Sequence, residues 1–177
     1  MRDDVCGSGY CRAVPRGQPD IANTALRIFL QDLGAAYDLE RGKPPYKGGK
    51  HFQKIKEFFG SRCCYCGVEF SSAAPANQDR LIPINKLDLG LHAWGNIVPA
   101  CQACNNARQR KDWRDYILER AGTNTSERHA RVRAYLKEYD YDPKLGLKDV
   151  AEELYVEVGE IAVTLIRTKM KRLSDKL

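Results

Sequence analysis

No stretch of this 177-residue chain stays apolar long enough to span a bilayer, which excludes a membrane-spanning helix. Its first twenty residues carry charges and glycines where an export signal has an apolar run, so a soluble, cytoplasmic protein that is not secreted is expected. No internal repeat and no low-complexity tract appears, which excludes a solenoid or a linker-like chain. Histidine is scarce, with three in all. Cysteine is not scarce, but seven is an odd number and four of them fall in two CxxC pairs. A secreted disulfide framework fits that pattern poorly, and a reducing compartment fits it well.

What is present is one domain's worth of chain with an organisation in three parts. Residues 1–60 hold an irregular start and two helices. The first opens at Pro19-Asp20 and runs through Ile21, Ala25, Ile28, Phe29 and Leu33 to about Tyr37; the second spans about Lys50 to Phe59, with Gly60 as its stop. Both are expected to pack on the middle part. Residues 61–114 hold the CxxC pairs, a Ser/Ala/Pro loop over 71–77, a short strand at Leu81-Ile82-Pro83-Ile84 demoted to an edge by its proline, and a helix from about Gln102. Residues 115–177 read as helical. Asp112 is placed to cap a helix from Trp113, Asn124-Thr125-Ser126-Glu127 fits a capping box, and Val150, Leu154, Val158, Ile161, Leu165, Ile166, Met170 and Leu173 form a stripe along a last helix. The fold class expected is α+β, mostly helical.

The most informative feature is Cys63-x-x-Cys66 with Cys101-x-x-Cys104. Each pair is short enough for both sulfurs to reach one ion, and four thiolates close a tetrahedron around Zn²⁺. The expected role of the zinc is structural, joining the two ends of the intervening insert. Gly67 supplies the permissive backbone that a tight knuckle needs.

The formal net charge is +6 and the pI about 8.9. Arg108, Arg110, Lys111 and Arg114 follow the second knuckle, Lys43, Lys47 and Lys50 lie in a Pro/Gly loop, and the chain from Arg167 to Lys176 carries five bases against one acid. A polyanion is the natural partner for such a distribution.

Taken in order, Cys63-x-x-Cys66-Gly67, Asp79-Arg80-Leu81-Ile82-Pro83, Asn96-Ile97-Val98-Pro99-Ala100-Cys101, Cys104-Asn105 and Arg108 resemble the HNH endonuclease superfamily, the ββα-metal nucleases. The resemblance covers about residues 61–114 and implies a ββα-metal module flanked by helices. It implies that Asp79 and Asn105 hold a catalytic divalent ion, Mg²⁺ or Mn²⁺, for which hard oxygen donors are suited. By the same resemblance Asn96 braces the loop and Arg108 faces the phosphates, while Arg110, Lys111 and Arg114, from the charge pattern, are expected to bind nucleic acid. Arg80 departs from the pattern, because most of the family has His there as the base and a guanidinium cannot take a proton at neutral pH. Some restriction and phage members have Asp-Arg, and in them Arg80 would clamp the scissile phosphate. The base is then His92, His51 or a metal-bound water. The activity implied is metal-dependent hydrolysis of DNA, double-stranded in preference, of a restriction or defence type that leaves 5′-phosphate and 3′-hydroxyl ends. The alternative is a catalytically inactive, zinc-stapled nucleic-acid-binding module. A homodimer would suit a two-fold DNA site.

Overall fold

A computed structural model describes residues 18–85, 87–142 and 147–175, and of residues 18 and 19 the backbone only. Cys6, Cys11, Pro143 and Gly146 lie outside the described residues. The elements follow in the order α1 (Gln18–Glu40), α2 (Lys50–Phe58), β1 (Ala76–Arg80), β2 (Ile97–Cys101), α3 (Gln102–Arg108), α4 (Trp113–Arg120), α5 (Thr125–Glu138) and α6 (Leu147–Ser174). The class is α+β with helix predominant. Among the described residues no helix is long and apolar enough to cross a membrane.

β1 and β2 pair antiparallel, with Asp79 opposite Val98 and Arg80 opposite Ile97, and α3 follows β2 without a break. β2 is buried along its whole length. Against it pack α2 and the residues of α4 and α5, giving a core that includes Ile55, Phe59, Tyr65, Ile97, Ile117, Val132 and Tyr135. A second core forms where α1 lies against α6 and the 89–93 loop, through Leu26, Leu30, Leu91, Tyr141 and Ala151. Of the two early helices, α2 lies against β2, and α1 lies against the 89–93 loop of the same middle part as well as against α6.

Two local expectations are corrected. The strand is Ala76–Arg80, and Leu81–Ile84 is a bent segment. The reason is visible at Ile82, whose N–H and C=O are both taken by the side chain of Asn96 (2.8 and 2.9 Å) in place of a neighbouring strand. The capping box does not form. Asn124 makes no side-chain cap, and α5 instead grows out of a 3₁₀ turn at Gly122–Asn124, with Thr125 Oγ1 donating to Gly122 O (2.7 Å). Asp112 caps α4 as expected, accepting from Arg114 N at 2.8 Å.

Candidate metal centre and nucleic-acid site

The sulfurs of Cys63, Cys66, Cys101 and Cys104 all lie within 4.8 Å of one another, and Cys66 Sγ is 3.8 Å from Cys101 Sγ. The first knuckle turns on Gly67, at φ 76°, with Cys63 N donating to Val68 O (2.8 Å) and Gly67 N to Cys63 O (3.0 Å). The second pair straddles the β2–α3 junction, where the backbone passes straight from strand into helix. None of these four cysteines is joined in a disulfide. A tetrahedron with Zn–S bonds of ~2.3 Å has edges of ~3.8 Å, and four thiols gathered at this spacing can hold one metal ion such as zinc. Cys64, between them in sequence, is buried, and its N–H ties the knuckle to β2 through Pro99 O (2.9 Å).

Successive residues of a strand point to opposite faces, and β1 divides its polar side chains accordingly. Asp79 faces the knuckle and α3. Its Oδ2 accepts from Tyr65 OH (2.7 Å) and Arg108 Nε (2.7 Å), and its Oδ1 accepts from Arg80 N (2.7 Å) and Arg108 Nη2 (3.2 Å). An ionised carboxylate offers about four lone-pair sites, and here four donors fill them. Arg108 is equally complete: besides Asp79 it donates to Lys111 O (3.0 Å), Leu81 O (3.4 Å) and Arg80 O. Its side chain is 3% exposed and that of Asp79 13%. The resemblance implies that Arg108 faces the phosphates. In the structure it is turned inward, because the carboxylate and three carbonyls converge on its five N–H groups and its guanidinium lies 5.6 Å from the Tyr65 ring.

The same saturation bears on the catalytic ion. Mg²⁺ and Mn²⁺ bind through oxygen lone pairs, and Asp79 has none left while Arg108 and Tyr65 hold it. The donor types suit such an ion, but the arrangement as built does not fit it. Asn105 is the fourth residue of α3 and half-buried, and α3 packs on β1.

The other face of β1 carries Gln78 and Arg80. Gln78 Oε1 accepts from Tyr46 OH (2.9 Å), and Arg80 Nη2 lies 3.3 Å from His92 Nδ1. The Tyr46 ring stands edge-on to His92 at 5.1 Å and to Trp94 at 5.4 Å, and His51 lies beside Trp94 at 4.8 Å. Burial, and then the Arg80 charge, press the His92 pKa down to about 4. His92 is therefore a neutral imidazole at pH 7, and a neutral Nδ1 facing a guanidinium is an acceptor. Burial and the nearby Arg27 likewise lower the pKa of Arg80, with Asp79 opposing, and Arg80 Nε is buried without a partner. His51 Nδ1 accepts from Lys47 N (3.2 Å). Of the three histidines, His92 is the one that touches Arg80.

Asn96 is fully buried and acts through the backbone: besides gripping Ile82 it donates to Leu91 O (2.8 Å), which closes the loop between β1 and β2. It is a positioning residue. Arg110, Lys111 and Arg114 are exposed, Lys111 paired with Glu119 (2.5 Å) and Arg114 with Asp112 (3.2 Å). Trp94 and Trp113 are both core residues.

Three residues that shape the site escaped the sequence reading. Tyr65 sits inside the first knuckle and links it to Asp79. Tyr46 roofs His92. Asp38 is completely buried on α1 and accepts from Tyr46 N (3.0 Å), Trp94 N (3.1 Å) and Arg41 Nη2 (2.7 Å), fixing both aromatic walls; burial raises its pKa, and those three donors oppose the rise. A tyrosine within a CxxC and an acid on the apolar face of a helix were the available signals. Compared with known proteins, the chain matches no family model, and no curated protein or solved structure is significantly similar to it.

Proposed function

We propose that this chain acts on DNA as an HNH-type endonuclease, with a structural zinc ion held by Cys63, Cys66, Cys101 and Cys104. The observation that carries the reading is the unit β1–β2–α3 closed at its base by four cysteines, with Asp79 on the strand and Asn105 on the helix that packs against it. Zinc does no chemistry in this scheme. It fixes the hairpin and helix relative to each other, a task for which so small a unit has little apolar area of its own. Only with Arg108 released from Asp79 would Asp79 and Asn105 hold a divalent ion, which would supply charge stabilisation there. The chain's own contribution lies on the Arg80 face. There Arg80 provides a fixed positive group for a phosphate and His92 accepts one of its hydrogen bonds, while Arg110 and Arg114 add sequence-independent attraction for the backbone.

The closed Asp79–Arg108 pair favours a second reading, in which the zinc frame binds nucleic acid without cutting it. For the enzyme reading Arg108 must release Asp79; for the binding reading it never does. A plasmid nicking assay with Mg²⁺ or Mn²⁺, run beside a gel-shift on wild type, Asp79→Ala and Asn105→Ala, separates the two, each variant first being checked for its zinc content and folded spectrum. Metal-dependent cleavage by wild type that both folded variants lose supports the endonuclease. A salt-sensitive shift by all three with no cleavage supports the binder, and neither cleavage nor shift refutes both.

A further inference from the structure

α6 is 28 residues long, and α1 covers only one side of it. The covered side carries Ala151, which is buried with the second core, and Gly159. With 100° of rotation per residue, Val150, Leu154, Val158, Ile161 and Leu165 fall within about 80° of arc; Leu154 packs on the second core and Val158 is half-buried, whereas Val150, Ile161 and Leu165 are exposed. Ile161 is 66% exposed and Leu165 57%. An apolar stripe of this length along an accessible helix flank marks an interaction surface.

The charges on α6 say what fits it. Residues 147–160 hold five acids and one base, and residues 161–174 hold four bases and no acid. Acids at a helix start and bases at its end answer the macrodipole, but that effect fades within the first and last turns. Glu157 and Glu160 lie beyond the first turn, so the dipole does not account for them. On the wheel, Glu153, Glu157, Arg167 and Lys171 share one flank within about 80° of arc next to the apolar stripe, and all four are exposed. Their positions are symmetric about Ala162: Glu153 and Lys171 are each nine residues from it, and Glu157 and Arg167 each five.

We infer that α6 pairs with the α6 of a second copy of this chain, antiparallel, across a two-fold axis near Ala162. In that pairing Glu153 meets the partner's Lys171 and Glu157 the partner's Arg167, each contact occurring twice, while the apolar stripes close on one another. An isologous interface demands this kind of self-complementarity. A parallel pairing would set acid against acid and base against base, which antiparallel packing avoids. The inference does not depend on whether the chain cuts DNA.

The test is sedimentation of the zinc-loaded, 177-residue chain. Wild type is expected at twice the 20.0 kDa chain mass. The variants Glu153→Lys/Glu157→Lys and Arg167→Glu/Lys171→Glu are each expected to sediment as monomers, and an equimolar mixture of the two to return to the doubled mass. All four residues are exposed, and the fold of each variant is checked by helicity and melting. A monomeric wild type overturns the inference. If deleting residues 1–17 then makes it dimeric, the occupant of the stripe is the chain's own N-terminal segment. A dimer that persists in both charge variants overturns it as well, by placing the interface elsewhere.

Discussion

Replacing Arg108 by Met tests whether the inward ion pair is structural. Methionine keeps most of the apolar stem and removes the guanidinium. The variant loses five hydrogen bonds and leaves Asp79 charged in a site only 13% exposed, with three carbonyls unanswered on the 80–81 and 111 segments. Removing one member of a buried pair costs about 3–5 kcal/mol. Because Asp79 retains some water and two other donors, Tyr65 OH and Arg80 N–H, the low end of about 3 kcal/mol is expected. Urea unfolding at fixed zinc measures it. The double variant Asp79→Asn/Arg108→Met should cost about 2 kcal/mol less than the sum of its singles, since the second change removes the charge that the first strands. A loss below about 1 kcal/mol for Arg108→Met, the value of an exposed pair, would refute the reasoning. The same number bears on function. Opening a pair worth about 3 kcal/mol leaves roughly one molecule in a hundred open, so a divalent ion that needs Asp79 would bind wild type about 100-fold more weakly than it binds Arg108→Met. Equal Mn²⁺ affinity by paramagnetic resonance would show that Asp79 is not a ligand.

Three further outcomes are expected. Cys104→Ser, or wild type stripped by a strong chelator, should lose cooperative melting together with about one bound zinc per chain, because an opened tetrahedron no longer joins the knuckle to α3; a metal-free protein that still melts cooperatively would end the structural role. The His92 pKa lies below its ordinary 6.5, so the unfolded chain binds the extra proton first; stability from this group is present above about pH 6.5 and lost as pH falls toward 4, and His92→Gln should flatten that part of the stability–pH curve, whereas an unchanged curve would mean that His92 is not the buried, Arg80-facing group described. Gly34→Ala brings a methyl group to 2.7 Å from His92 O, backbone against backbone, so the 91–93 segment must shift; the expected readout is a changed His92 ring resonance with a loss of about 1–3 kcal/mol, and an unperturbed ring would show that α1 does not set this loop.

Which parts of this architecture were legible in the sequence follows from how local each cause is. All six helices could be read, α5 without its true cap, because a helix announces itself through its own periodicity and end signals, such as Asp112 at α4 and Gly60 after α2. The four cysteines could be read because metal geometry restricts spacing. β1 could not. Ala76–Arg80 contains no β-branched residue, while Leu81–Ile84 looks like a strand, and the contest is decided by Asn96, fourteen residues away from Ile82, which takes the backbone groups that a second strand would need. Arg108 shows the same limit: a basic residue after a knuckle reads as a phosphate contact, and only the converging positions of Asp79, Leu81 and Lys111 turn it into a core residue.

Asp79 and Arg80 are neighbours in sequence yet serve different surroundings, and this constrains any account of the site. Tyr65 and Arg108 join Asp79 to the cysteine knuckle and to α3, so a change at Asp79 is felt first in the coherence of the metal-centred half of the molecule. Arg80 instead looks toward His92, Tyr46 and the charge of Arg27, in a pocket whose walls are set by Asp38 on α1. Two side chains on opposite faces of one strand do not grip one phosphate while the strand keeps its pleat. The closed ion pair therefore leaves Asp79 on a structural face and Arg80, half-buried beside His92, on the opposite one. For the proposed endonuclease to bring one phosphate to both side chains, Arg108 must release Asp79 and the strand must also lose its pleat locally.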